Sequence, residues 1–299
     1  MGLLIAGTGA LACLFAARLA GSGSEVTMLG NWPDGLAALR QHGVRLLDLD
    51  GNIRSFFVEV MDGSAGMGNY SQSLVLVKSW QTERVAKQLG RCLTAKGIAL
   101  TLQNGLGNDA TLKTFLNPER VALGVTTVGA RMLEPGYVQF TGNGKIFLGA
   151  HPRMNGLAEL LEKAGFQVEM VSDPVSLLWG KLVINAAINP LTALLRVQNG
   201  ELLERPAARE LLAEVAKEAA SIATRQGISL PYPDPVLAVE EVARNTAANY
   251  SSMLQDVMRG TVTEIEAING AIVRVGEHMG VPTPVNRLLW GLVKSLDHQ

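Results

Sequence analysis

Apolar residues come first as short unbroken runs and later as helical stripes, and the change falls a little past the middle of the chain. Leu3-Leu4-Ile5-Ala6, Glu25-Val26-Thr27-Met28-Leu29, Ser73-Leu74-Val75-Leu76-Val77, Gly97 to Leu102 and Val121 to Thr127 have strand length. Most of these runs are apolar almost throughout, the pattern of parallel strands covered on both sides. A helical stretch follows the first run to about Ala20, where Gly21 and Gly23 close it. Val44 to Val60 reads as a hairpin turning at Asp50-Gly51-Asn52. Val138 to Thr141 and Lys145 to Leu148 read as a second one across Gly142-Asn143-Gly144.

From about Ser172 the period lengthens to that of helices. Asp173-Pro174 is a helix start, with Asp as cap and Pro in the first turn. Glu210 to Gln226 is amphipathic, with Leu211, Val215, Ala219 and Ile222 on one face and Gly227 just past its end. Pro231 to Pro235 is a loop, two helical patterns flank Gly260, and a last one follows Pro284. No solenoid repeat or low-complexity linker intervenes. The chain is therefore expected to be α/β, with a Rossmann-type domain over 1–169 and an all-helical domain over 170–299.

Composition narrows the class. Hydrophobic residues make up 47% and charged residues 18% of the chain, as in a folded globular enzyme. A formal net charge of −1 gives no electrostatic case for nucleic acid or an anionic membrane. Two cysteines, Cys13 and Cys92, build no disulfide framework, and four scattered histidines offer no readable metal site. The apolar start MGLLIAGTGALAC could pass for a lipoprotein signal, but it lacks a basic leading region and is interrupted by glycines. No later run reaches a membrane-spanning length without polar interruption, so a cytoplasmic chain is expected.

Gly7-Thr8-Gly9-Ala10-Leu11-Ala12 sits between the first strand and its helix, the context of a dinucleotide fingerprint. Gly7 makes the tight turn, Gly9 lets the backbone approach a pyrophosphate at the helix N-terminus, and Ala12 allows close helix–strand packing. A merely tight βα turn is the plainer alternative. After the second strand stands Asn31, neither the acid that holds a ribose nor the cation that meets a 2′-phosphate. The missing acid leans towards NADP. Trp32 would either cover the adenine or pack on its own domain. Lys78 and Asn104 follow strand ends, the edge at which ligands bind in open α/β sheets. A solvated lysine and a turn asparagine are the ordinary readings of the same residues.

The chemistry is expected in the second half. Lys181, Asn185 and Asn189 recur at four-residue steps in the apolar stretch WGKLVINAAINPLTAL and so share one helix face. A buried polar seam, with Asn189 capping a helix that begins at Pro190, accounts for the same pattern. Further on, Ser252 with Gln255 and Thr261 with Glu264 match the capping-box spacing, which gives Glu264 a structural reading beside a functional one.

The segments GTGALA, VKSWQ, QNGLG, GKLVINAAINPLTAL, NYSSMLQDV and TEIEAING together resemble the ketopantoate reductase (2-dehydropantoate 2-reductase) family over essentially the full length. The resemblance implies a Rossmann domain followed by a helical domain like that of 6-phosphogluconate dehydrogenase. It also implies NADPH as cofactor, a small 2-keto acid as substrate, and ketopantoate reduction on the way to pantothenate. By similarity Lys181 and Glu264 are catalytic, and Asn104, Asn185, Asn189, Asn249 and Ser252 bind substrate. Gly7, Thr8, Gly9, Ala10, Leu11, Ala12, Asn31, Lys78 and Asn104 would meet the cofactor. A reductase of another branched 2-keto acid and a non-catalytic NADP sensor are the competing readings. The oligomeric state is open, a homodimer being one expectation.

Overall fold

The computed structural model describes residues 2–63 and 68–296. It divides into two compact units, residues 1–103 with 108–174, and residues 104–107 with 175–299.

In chain order the first unit holds β1 (Leu3–Ala6), α1 (Ala10–Gly21), β2 (Val26–Gly30), α2 (Pro33–His42), β3 (Val44–Leu47), β4 (Ile53–Phe56), β5 (Glu59–Asp62) and β6 (Tyr70–Val75). There follow α3 (Thr82–Cys92), β7 (Leu93–Thr101), α4 (Asn108–Phe115), β8 (Val121–Thr126), β9 (Gly129–Glu134), β10 (Tyr137–Gly142), β11 (Lys145–Gly149), α5 (Asn155–Lys163) and β12 (Gln167–Val171). The main sheet runs β12-β11-β8-β7-β6-β1-β2-β5. All its neighbouring pairs are parallel except β8 with β11. From β5 to β8 this is the strand order of a Rossmann sheet, which reverses direction between β1 and β6. Every residue of β1 is buried, which explains its unbroken apolar run.

A smaller sheet, β4-β3-β10-β9, lies against α1. Arg18 of α1 stacks over Phe140, 4.1 Å from the ring centre, and Phe15 stacks on Phe166 at 4.4 Å. Here two sequence expectations are corrected. The first hairpin ends at Phe56, and β5, which contains Val60, leaves it to pair with β2 in the main sheet. The second hairpin does not form. β10 pairs with β9 across Pro135-Gly136, and β11 pairs with β8 and β12 in the other sheet. The physical reason is that Gly142-Asn143-Gly144 carries the chain between sheets: a Cβ on Gly144 would lie 2.3 Å from the Thr127 carbonyl carbon.

The second unit is helical: α6 (Pro174–Leu195), α7 (Glu201–Glu204), α8 (Pro206–Arg225), α9 (Pro235–Asn245), α10 (Ser252–Met258), α11 (Asn269–Met279) and α12 (Pro284–Lys294). α6 has 22 residues and is long and apolar enough to cross a bilayer by length and composition. Its polar residues interrupt the run, and 72% of the apolar window is buried within the protein, as befits a core helix. α8 buries a face centred on Leu212, Val215, Ala219 and Ile222. Leu211, expected inside, is 41% exposed while Leu212 is fully buried. The helical pattern before Gly260 is two helices, α9 and α10, with the chain turning between them.

Candidate active site

The turn from β1 into α1 has the form a pyrophosphate site needs. Gly7 has φ +134°, and a Cβ there would lie 2.8 Å from the Leu76 carbonyl oxygen, so only glycine fits. The same Cβ would sit 3.3 Å from that of Ala12, which shows why the sixth residue of the motif is small. Gly9 is the N-cap of α1, with extended backbone, no side chain bonding the helix N-terminus, and no acidic residue in the first turn. Nothing lies within 4 Å of where its Cβ would project. An uncapped helix N-terminus that opens onto free space fits a dinucleotide phosphate. Thr8 is buried in the turn, Ala10 and Leu11 are half-buried, and Asn31 is exposed just beyond β2. Trp32 lies over Gly35, where a Cβ would meet its indole at 2.4 Å, so it packs on its own unit while remaining 38% exposed. The Cys13 thiol approaches the Thr8 carbonyl at 3.5 Å and is pushed up to about 12 by burial, which keeps it protonated.

Lys78 is half-buried past the end of β6, and its carbonyl accepts from the Gln81 N–H at 2.9 Å. A buried polar cluster fixes this edge. Gln103 Nε2 donates to the Val77 carbonyl at 3.0 Å and to Thr82 Oγ1 at 2.8 Å, while Thr82 bonds Asn108 at 2.9 Å. Sequence reasoning passed over Gln103, because nothing local marks it as a clamp.

In the second unit α6 places Lys181, Asn185 and Asn189 on one face. The alternative in which Asn189 caps a helix beginning at Pro190 does not hold: α6 runs through the proline, and Asn189 is an interior, buried residue. Glu264 is only 5% exposed and lies in the turn before α11 rather than in a first helical turn, its carbonyl accepting from the Ala267 and Ile268 N–H groups. The capping box with Thr261 is absent; the Thr261 hydroxyl donates to the Asp256 carbonyl at 3.2 Å instead. Asn104 Nδ2 donates to Glu264 Oε2 at 3.3 Å. That approach needs Gly105, which has φ +80° and whose Cβ would lie 2.5 Å from the Ala267 carbonyl oxygen. Apolar surroundings pull the Lys181 ammonium down from 10.5 to about 8, the nearby Glu264 carboxylate working the other way. Lys181, Glu264 and Asn104 thus form one electrostatic group.

Asn249 is exposed on the segment leading into α10, and Ser252 is exposed at the helix's first position. The cap of α10 is Ser251, one residue earlier than the spacing suggested, and its Oγ accepts from the Leu254 N–H. Ser251 Oγ lies 2.7 Å from Thr192 Oγ1, three residues beyond Asn189 on the same face of α6. That contact ties the Asn249–Ser252 segment to the far end of the polar stripe. The stripe's continuation to Thr192 was readable from spacing, whereas its partner was not.

The sequence profile described as "Ketopantoate reductase PanE/ApbA" matches residues 3–153, and "Ketopantoate reductase PanE/ApbA C terminal" matches 175–297. The chain belongs to the ketopantoate reductase family. Among curated relatives, the 2-dehydropantoate 2-reductase of Archaeoglobus fulgidus is 37% identical, the match covering 98% of this chain and 97% of that one. That of Halobacterium salinarum is 33% identical, with 98% of each covered. Among solved structures, the PanE/ApbA family ketopantoate reductase of Ralstonia eutropha JMP134 superposes with a TM-score of 0.92 at 32% identity, over 99% of this chain and 98% of that one. A D-mandelate dehydrogenase solved with NADH and anilino(oxo)acetate gives 0.93 at 26% identity over the same shares. The chain thus shares its fold with a structure named as a ketopantoate reductase and with one named as a D-mandelate dehydrogenase.

Proposed function

We propose that this protein reduces ketopantoate to pantoate with NADPH, a step of pantothenate biosynthesis, as a soluble enzyme of the cytoplasm. The observation that carries the reading is the grouping of Lys181, Glu264 and Asn104 in a chain matched end to end by 2-dehydropantoate 2-reductases. The turn Gly7, Thr8, Gly9, Ala10, Leu11 and Ala12 binds the pyrophosphate through backbone N–H groups, with Asn31 and Lys78 beside the remaining phosphate and ribose. When bound, NADPH supplies the hydride that reduces the ketone carbon. Lys181, as ammonium, protonates the carbonyl oxygen, and its lowered pKa suits a proton donor working near neutrality. Asn185 and Asn189 orient the substrate along the face of α6, and Ser252 and Asn249 hold its carboxylate. Glu264 accepts the substrate's hydroxyl, and Asn104 holds that carboxylate in place at 3.3 Å.

The likeness to D-mandelate dehydrogenase supports a second reading, reduction of an aryl 2-keto acid with NADH. A panel of ketopantoate, unsubstituted branched 2-keto acids and phenylglyoxylate, each with NADPH and NADH, separates the two. Ketopantoate with NADPH is expected to give the highest kcat/KM. Faster turnover of phenylglyoxylate with NADH would replace the proposal, and binding of NADPH without turnover of any keto acid would make the chain a sensor.

A further inference from the structure

A proline inside a helix cannot donate to the carbonyl four residues before it, and α6 contains Pro190 yet continues as one helix to Leu195. The carbonyl left without its donor is that of Ala186. In this structure Asn269 Nδ2 donates to the Ala186 oxygen at 3.0 Å. Both ends of this bond are fully buried. A main-chain carbonyl can only accept, so the carboxamide's orientation is settled by chemistry. The second hydrogen goes to Asn286 Oδ1 at 3.0 Å. Asn286 in turn donates to Glu218 Oε2 at 2.8 Å and to the Val215 carbonyl at 3.3 Å. The Glu218 carboxylate takes the Val285 and Asn286 N–H groups of α12, each at 2.9 Å. By contrast Asn269 Oδ1 has no partner among the described residues, so the residue is kept for its donors.

The position of this bond matters. Ala186 lies five residues after Lys181 and three before Asn189, and Asn269 lies five after Glu264 on the turn that opens α11. We propose that Asn269 is a positioning residue: its carboxamide gives the Ala186 carbonyl the hydrogen bond Pro190 cannot, and so holds the Lys181-bearing helix and the Glu264-bearing turn in one fixed relation. Pro190 opens the helix to a side chain, and Asn269 uses the opening to link the two segments directly. The inference rests on the roles proposed above for Lys181 and Glu264.

The test is a double-mutant cycle of Pro190→Ala and Asn269→Ala, read by kcat and KM with ketopantoate and NADPH and by Tm. Pro190→Ala restores a main-chain N–H for the Ala186 carbonyl and is expected to fold and retain activity within about twofold. Asn269→Ala alone is expected to lower kcat about tenfold, equivalent to an interaction within the usual coupling range, with KM for NADPH unchanged. In the Pro190→Ala background the same substitution should cost several-fold less, in kcat and in Tm alike. Equal losses in both backgrounds, or a lowered Tm with wild-type kcat in Asn269→Ala, would overturn the proposal. Should Asn269→Ala not fold, its recovery by Pro190→Ala supports the inference and failure to recover opposes it, with Asn269→Ser, which keeps one donor, expected to be milder. If Lys181→Ala proves fully active the functional reading fails, and the Tm cycle still decides whether the bond exists.

Discussion

A lysine that releases its proton near pH 8 can serve reduction on one side of that value and oxidation on the other. Burial disfavours the Lys181 ammonium and the Glu264 carboxylate favours it, with burial the larger cause. In the proposed mechanism reduction needs the ammonium, so kcat/KM for ketopantoate should hold level below about 8 and fall above it, while oxidation of pantoate should rise through the same range. Replacing Glu264 by Gln removes the negative charge that supports the ammonium, so the falling limb should move to lower pH. The same change should reduce kcat/KM by about ten- to a hundred-fold, the worth of a charge-assisted hydrogen bond to the substrate hydroxyl. pH–rate profiles of both proteins check this, and an unmoved limb with normal kcat/KM would make Glu264 structural. Lys181→Ala should lower kcat by roughly 10²–10⁴-fold without weakening NADPH in a binding titration.

At the scale of the element, α8 separates two neighbouring leucines sharply. Leu212→Ala empties a fully buried position and should cost about 2–5 kcal/mol in denaturant unfolding. Leu211→Ala, on the exposed side, should stay within about 0.5 kcal/mol. The sequence pattern chose the wrong leucine because adjacent apolar residues differ by only one step around the helix, and the alanines on either side fit both registers. Signals confined to a few residues are legible as geometry: the tight turn at Gly7 and the shared helix face from Lys181 each follow from local spacing. Pairings between distant segments were not. β10 and β11 looked like a hairpin because they are adjacent, whereas their true partners are set by two different sheets, and only Pro135-Gly136 hinted at the real turn. The Ser251–Thr192 contact spans 59 residues and the Asn104–Glu264 bond spans 160, distances over which no spacing rule operates. Pro190 misled in another way: the proline promised a helix start, and the side chain that makes it tolerable comes from 83 residues later, measured between Ala186 and Asn269.

For the whole molecule, the proposed mechanism assigns cofactor choice to the first unit and proton transfer to the second. Asn31 follows β2 where a cation would meet a 2′-phosphate, so NADPH should bind more tightly than NADH by a modest margin. Asn31→Arg should widen that margin through charge-assisted phosphate contacts, as competitive titration of the two cofactors would show. A preference of the unmodified protein for NADH would contradict the assignment. One further consequence comes from residues 104–107, which stand among first-unit residues in sequence but group with the second unit. A domain swap between two relatives, cut once near residue 174, would separate Asn104 and Gly105 from the Glu264 and Ala267 they contact in this chain. Recombination should therefore succeed only when this tetrapeptide travels with the C-terminal parent. In breeding terms the two loci are linked, though a hundred and sixty residues separate them.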